Sequence, residues 1–443
     1  MEKKNDKRGA SQAAARTESP KTNTAHLSPP ITWVHNPHAR QATPGDIVSR
    51  LLPPDLPHAI RHFHRQIPGF RMSPLKALPH LAESLGLGGI WVKDESSRFN
   101  LDSFKVLGGS YAIYQLIRKR LGVEDQNIPF AGLTQAAVRD RLGEITFATA
   151  TDGNHGRGVA WIASQLGYRA VIYVHQLTSR ERIQNLVRSG GEVVVVQGNY
   201  DDAVRQVVDD ARRNGWEVVS DTAWEGYEDV PKAVMQGYMT LLSETQEQLA
   251  GQGLSAPTHI LVQAGVGSLA AAALGYYHNL FGDARPLSMV VEPTQAACLY
   301  ESARIGDGQP HAVTGDLDTI MAGLACGVPN PLAWQILERC ADVFAVCPDY
   351  VAAQGMRVYG VPLAGDPFIV SGESGAVTLG ALMYLMKYEG AQSLRERLEL
   401  GPDSQVLLIN SEGNTAPDDF RHIVWEGGIP VPEEYRLFQR SIA

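Results

Sequence analysis

Between Phe70 and Gly413 the chain alternates short β-branched runs with amphipathic stretches, and few folds accommodate that pattern. The runs are GGIWVKDES (88–96), EITFATA (144–150), RAVIYVH (169–175), EVVVVQG (192–198), WEVVSD (216–221), HILVQAG (259–265), LSMVVEP (287–293) and QVLLINSEG (405–413). Helical periodicity fills most of the gaps, as in SRERIQNLVRSGG (179–191) and DDAVRQVVDDARRNG (201–215). Strands that are apolar throughout, not on alternate residues, are covered on both faces, as in a parallel sheet flanked by helices. The expected class is α/β, with two doubly wound, mainly parallel sheets. SPLKALPHLAESLG (73–86) reads as one helix, and the stretch from Thr294 to Ser404 as helix-rich.

At 443 residues the chain exceeds one ordinary core. Residues 31–115 and 251–443 are expected to form a large domain, with a smaller domain, 116–250, inserted in it. The polar segment around 244–258 reads as a return linker. Residues 1–30, rich in Lys, Ser, Thr and Pro, read as a disordered tail without a secretory apolar core. Lys plus Arg number 39 and Asp plus Glu 48, a net charge of −9, which argues against nucleic acid or an anionic membrane as partner. No apolar run approaches the length of about 18 residues that a membrane span needs. The four cysteines make no C-x-x-C pair, so buried reduced thiols and a cytoplasmic setting are expected, although Cys298 and Cys326 can come close in space. His58, His62 and His64 share a helix but lack an intervening acid and a third ligand, and no metal site is expected.

In open parallel sheets, ligands sit beyond the carboxyl ends of strands. Several polar turns fall there. Lys105 follows a strand and opens a helix, between Phe104 and Val106-Leu107-Gly108-Gly109. Burial and the positive helix end would both depress its pKa and favour a nucleophilic free amine. TATDGNHGRG (149–158) offers Asp152, Asn154 and three glycines, although Asp and Asn also cap helices routinely. In QAGVGSLAAAALG (263–275), Gly265 to Leu269 present backbone N–H groups at a helix start, suited to a phosphate. The same turn matches a dinucleotide fingerprint, with Glu292 where a ribose-binding acid would stand. Asp221, Trp224 and Tyr227 can line a pocket or cap a helix, and Ser411 can meet a ring nitrogen or serve as a turn residue. A lysine for an aldehyde, a phosphate cradle and partners for a ring oxygen and a ring nitrogen are together what pyridoxal phosphate requires.

SFK (103–105) with the glycines after it, the phosphate turn, VEP (291–293) and SEGN (411–414) resemble fold-type II pyridoxal-phosphate enzymes, the tryptophan-synthase-β-like superfamily. Within it, TDGNHGRGVAW (151–161), DTAWEGY (221–227), IMAGLACG (320–327), SGESGA (371–376) and VWEG (424–427) resemble the diaminopropionate ammonia-lyases. The resemblance implies that the large domain binds the cofactor and that Lys105 carries its aldehyde. It implies that Asn154 bonds O3′, that Gly265, Val266, Gly267, Ser268 and Leu269 hold the phosphate, and that Ser411 faces the pyridine nitrogen. Lys105 would take the Cα proton of the L-isomer and Asp152 that of the D-isomer. Asp152 and Asp221 are the candidates for the acid that protonates the departing amine. Asn100, Asp102 and Ser103 depart from the lyase signature. The expected partner is a small amino acid, and the expected assembly a homodimer. Competing readings are a dehydratase or β-replacement enzyme acting on serine, threonine or an activated serine, an NAD oxidoreductase built on Gly265–Glu292, and a cofactor-free relative.

Overall fold

A computed structural model describes residues 29–40, 46–151, 153–176, 178–198 and 200–438. Most of the expected tail, residues 1–28, lies outside them. Among the described residues eleven strands occur: β1 (Thr32–His35), β2 (Leu75–Ala77), β3 (Gly89–Asp94), β4 (Thr146–Ala150), β5 (Arg169–His175), β6 (Glu192–Val196), β7 (Glu217–Val218), β8 (His259–Gln263), β9 (Leu287–Pro293), β10 (Val343–Cys347) and β11 (Gln405–Asn410). They form a seven-stranded sheet in the order β1-β10-β9-β8-β11-β3-β2 and a four-stranded sheet in the order β6-β5-β4-β7. All pairings in the smaller sheet are parallel. In the larger sheet only the edge strands β1 and β2 run antiparallel to their neighbours.

The central strands are sealed on both faces, as their composition demands. Ile260, Val262, Val290 and Leu407 enter one core, while Leu261, Met289, Val291, Val406 and Leu408 enter another on the opposite side. The smaller sheet lies wholly between Thr146 and Val218 in sequence, with strands of the larger sheet before and after it. The Lys105–Leu121 helix carries the chain away from the larger sheet and the Met239–Gly251 helix returns it. The expected linker at 244–258 is therefore helical in its first half, and Glu244 is buried there. The expected helix over 73–86 is instead β2 followed by a Pro79–Leu85 helix. A three-residue edge strand is too short to show a period of its own, and Pro79 starts the helix at its first turn.

Glu244 anchors the segment leading to Lys105. Its Oε2 accepts from Lys93 Nζ at 2.9 Å and from Arg98 Nη2 at 2.6 Å. Arg98 Nε also donates to Glu95 Oε2 at 2.8 Å, and all four side chains are buried. Two cations against two carboxylates leave the cluster neutral. Glu244→Ala should cost about 3–5 kcal/mol, because two buried cations would share one carboxylate. Denaturant unfolding of the variant checks this, and a loss below about 1 kcal/mol would contradict it.

Of the three histidines, His64 turns inward, with Nδ1 at 2.7 Å from Thr240 Oγ1 and Nε2 at 3.0 Å from the Leu107 carbonyl. Burial chiefly depresses its pKa, to about 3, so it is a neutral packing residue. Among the described residues no helix is long and apolar enough to cross a membrane.

Candidate active site

Lys105 is the first residue of its helix and follows the exit of β3. The loop between them holds Phe99, Asn100 and Asp102 at φ of 52°, 58° and 53°. Asn and Asp tolerate this left-handed backbone through local side-chain hydrogen bonds, whereas an ordinary side chain is strained there. That accounts for two of the residues at which the sequence leaves the lyase signature. The glycines after the lysine allow close helix packing. A Cβ on Gly108 would lie 2.6 Å from Tyr238 Cε1, and one on Gly158, in the facing Asn154–Leu166 helix, 2.8 Å from Val106 Cα.

Lys105 Nζ donates to Asp221 Oδ2 at 2.7 Å. This corrects the expectation of a depressed lysine pKa. Burial does pull the ammonium down, but Asp221, with Tyr238 and Cys326 behind it, more than offsets this, and the net direction is up. For Asp221, burial pushes up, while the Lys105 and His155 charges pull down and prevail. His155 is held by its Nε2, 2.8 Å from the Val219 carbonyl. Trp224 stacks on Tyr227 at 4.0 Å, and the Tyr227 hydroxyl donates to the Val218 carbonyl at 2.7 Å. These aromatics brace the Asp221 loop.

Asp221 is also tied to the glycine turn. Its carbonyl accepts from Ser268 Oγ at 3.1 Å and from Asn330 Nδ2 at 3.0 Å. Asn330 donates to Ser268 Oγ as well, at 3.0 Å, and its backbone N–H meets the Val266 carbonyl at 2.8 Å. The Ser268 hydroxyl thus has its partners within the protein. Gly267 has φ 99°, and a Cβ on Gly265 would lie 3.0 Å from Cys326 Sγ. Among the described residues, the amides of Gly265 to Ala270 find no protein acceptor. They are a row of donors at the positive end of the Ser268–Phe281 helix, which fits a phosphate.

On the other side, Asn154 opens its helix and donates from Nδ2 to Glu412 Oε2 at 2.7 Å. Ser411 follows β11 directly, is buried, and accepts from Gln263 Nε2 at 2.8 Å. Its carbonyl accepts from Phe104 N–H at 3.2 Å, next to the lysine. Asp152 lies outside the described residues. Of the candidates, the structure joins Lys105, Asp221 and the 265–269 turn through direct contacts, and places Asn154 and Ser411 around Glu412. Asn330, Gln263 and Glu412 are additions that the sequence reading missed. Asn330, ahead of Pro331, carried a local helix-cap signal; the other two show through partners distant in sequence, Ser411 for Gln263 and Asn154 and Ser374 for Glu412.

Glu292 closes off the oxidoreductase reading. Its carboxylate is buried and accepts from the Leu299 and Tyr300 N–H groups at 2.9 and 2.6 Å. With both oxygens on those N–H groups it caps the Cys298–Ile305 helix and does not stand free for a ribose, and burial raises its pKa to about 8. The cysteines are all thiols. Cys298 and Cys326 both lie against Gly265, the former donating to its carbonyl at 3.8 Å. Among the described residues, no three metal-ligating side chains converge.

A lysine at a helix start, a row of free turn amides and a strand-end serine, set between wound sheets, define a pyridoxal-phosphate enzyme. The family model described as "Pyridoxal-phosphate dependent enzyme" matches residues 67–412. The diaminopropionate ammonia-lyase of Escherichia coli K12 is 50% identical over 368 residues, 83% of this chain and 90% of that protein. That of Salmonella typhimurium is 46% identical over 378 residues, 85% of this chain and 94% of that protein. The crystal structure of the E. coli enzyme in complex with D-serine superposes with a TM-score of 0.83 at 45% identity, covering 91% of this chain and 98% of that one. The chain belongs to the diaminopropionate ammonia-lyase family of pyridoxal-phosphate enzymes.

Proposed function

We propose that the protein eliminates ammonia from D- and L-2,3-diaminopropionate, giving pyruvate and a second ammonia. The observation that carries this reading is the Lys105–Asp221 contact at 2.7 Å, hydrogen-bonded through Ser268 and Asn330 to a phosphate-type turn. Bound pyridoxal phosphate supplies an electron sink that acidifies the Cα proton of an amino acid joined to it. The amides of Gly265, Val266, Gly267, Ser268 and Leu269 would hold its phosphate, Asn154 its phenolic oxygen and Ser411 its ring nitrogen. A hydroxyl opposite that nitrogen would leave it neutral and the sink moderate, which suits prompt loss of a leaving group.

Lys105 would hold the group through its aldehyde and would serve as the base on one face of Cα. The resemblance to the lyases assigns the Cα proton of the D-isomer to Asp152. An amine leaves only when protonated, so an acid must lie near Cβ. Asp221 takes that part because its acidity depends on its neighbour. While Lys105 is cationic, Asp221 is held low; when Lys105 loses its charge, burial dominates and the carboxyl gains proton affinity. The working unit is a homodimer in the cytoplasm, in keeping with four reduced thiols. Its two sheets belong to a large unit, 31–115 with 251–443, and a small one, 116–250.

Pyruvate and ammonia released from both diaminopropionate isomers and from D- and L-serine provide the test. The kcat/KM for diaminopropionate should exceed that for serine by about 100-fold or more, since Asp221 faces a leaving ammonium better than a hydroxyl. Equal rates would move the assignment to a serine dehydratase.

A further inference from the structure

Glu412 has a carboxylate where a neutral side chain would satisfy the local backbone. The residue is 6% exposed and directly follows Ser411. Its Oε1 accepts from the Ser374 N–H at 3.1 Å, and its Oε2 accepts from Asn154 Nδ2 at 2.7 Å. The backbone around it is fixed as well. Its carbonyl accepts from Gly372 N–H at 3.1 Å, and it forms a β-bridge with Ser103, two residues before the lysine. Glu412 thus sits where the lysine loop, the Gly372–Ser374 turn and the Asn154 helix meet. Among the described residues, the hydrogen-bond donors on its carboxylate belong to Ser374 and Asn154, and burial raises its pKa. Glu373, buried beside it, is raised to about 8, first by burial and then by Glu412. A buried carboxylate among neutral donors is costly to keep. Capping one backbone N–H does not require it.

A side-chain amide has two N–H groups in one plane. When an anion grips one of them, the plane is fixed and the direction of the other is set. We propose that Glu412 is a positioning residue that orients the Asn154 amide so that its second N–H faces the phenolic oxygen of the cofactor. The proposal rests on the reading of Asn154 as the partner of that oxygen. Because an amide already donating to an anion is a weaker donor at its other N–H, the charge of Glu412 also raises the proton affinity of the phenolic oxygen. The protonation balance of the bound cofactor, visible in its absorption bands, follows from Glu412 as well as from Asn154.

The test uses holoprotein and four variants: Glu412→Ala, Glu412→Gln, Asn154→Ala and the double Glu412→Ala/Asn154→Ala. The readouts are the dissociation constant for pyridoxal phosphate and the ratio of the two main absorption bands across pH. Glu412→Ala should weaken cofactor binding by about tenfold, the worth of one well-placed hydrogen bond, and shift the band ratio. Glu412→Gln keeps an acceptor for Asn154 and should recover binding to within about threefold, while the loss of charge still shifts the bands. The double variant should bind no worse than Asn154→Ala alone, because both act through one contact. A structural role would lower the melting temperature but leave the band ratio of the loaded protein unchanged. Glu412→Gln, nearly isosteric, decides the case if the alanine variant does not fold. Unchanged bands in Glu412→Gln, or losses that add in the double variant, overturn the proposal while Asn154 keeps its assignment. Unchanged binding and bands in Asn154→Ala overturn both.

Discussion

Replacing Lys105 with alanine should abolish turnover and strip the visible absorption from the cofactor-loaded protein. Removing a covalent nucleophile costs about four orders of magnitude or more in rate, since no positioned group replaces it. The remaining site should survive. The amides of the 265–269 turn are backbone groups at a helix start, untouched by the change. The variant should therefore still take up pyridoxal phosphate, more weakly and without the bond to nitrogen, in equilibrium dialysis. Reduction of the parent holoprotein with borohydride should label position 105 and nothing else. A Lys105→Ala protein that kept its turnover would mean that another amine does the work, and the site would have to be rebuilt around it.

Asp221→Asn should lower kcat by about 10²–10⁴-fold, the usual worth of a positioned acid or base. It should also change the free lysine in the opposite sense. In the parent, Asp221 holds Lys105 cationic well beyond neutral pH, against the pull of burial. Without that carboxylate burial prevails, the lysine pKa falls, and a larger share is free amine at neutral pH. The pH at which the apoprotein reaches half its maximal rate of cofactor uptake should therefore move down. Slower turnover with faster loading is a pairing that general misfolding cannot produce. A variant slow in both would remove Asp221 from the chemistry and leave it a structural partner of Lys105.

Much of this architecture was legible beforehand, for a physical reason. RAVIYVH and LSMVVEP coincide with β5 and β9 because strands buried on both faces must be apolar throughout. β10, five residues of VFAVC, went unseen within a stretch read as helical. It lies between two helices with no glycine or proline marking its start, so nothing local announces it. The direction of the Lys105 shift was misread because burial can be guessed from apolar neighbours, whereas a carboxylate 116 residues further along cannot. Glu412 escaped for the same reason: its partner Asn154 is 258 residues away. What the chain shows locally is which side chains can do chemistry. Which of them meet is decided by strand order.

That order has a consequence for synthesis. Among the described residues β11, formed by residues 405–410, is the last strand in sequence, yet it enters the middle of the larger sheet between β8 and β3. Until the ribosome has released it, β3 and β8 each keep a bare edge, and Ser411 and Glu412 are missing from their places beside Phe104 and Asn154. A nascent or truncated chain ending before Gln405 would thus pair too few backbone groups to stay out of aggregates and would have no complete pocket to fill. A pocket that needs residues 411 and 412 is complete only once β11 has taken its place between β8 and β3.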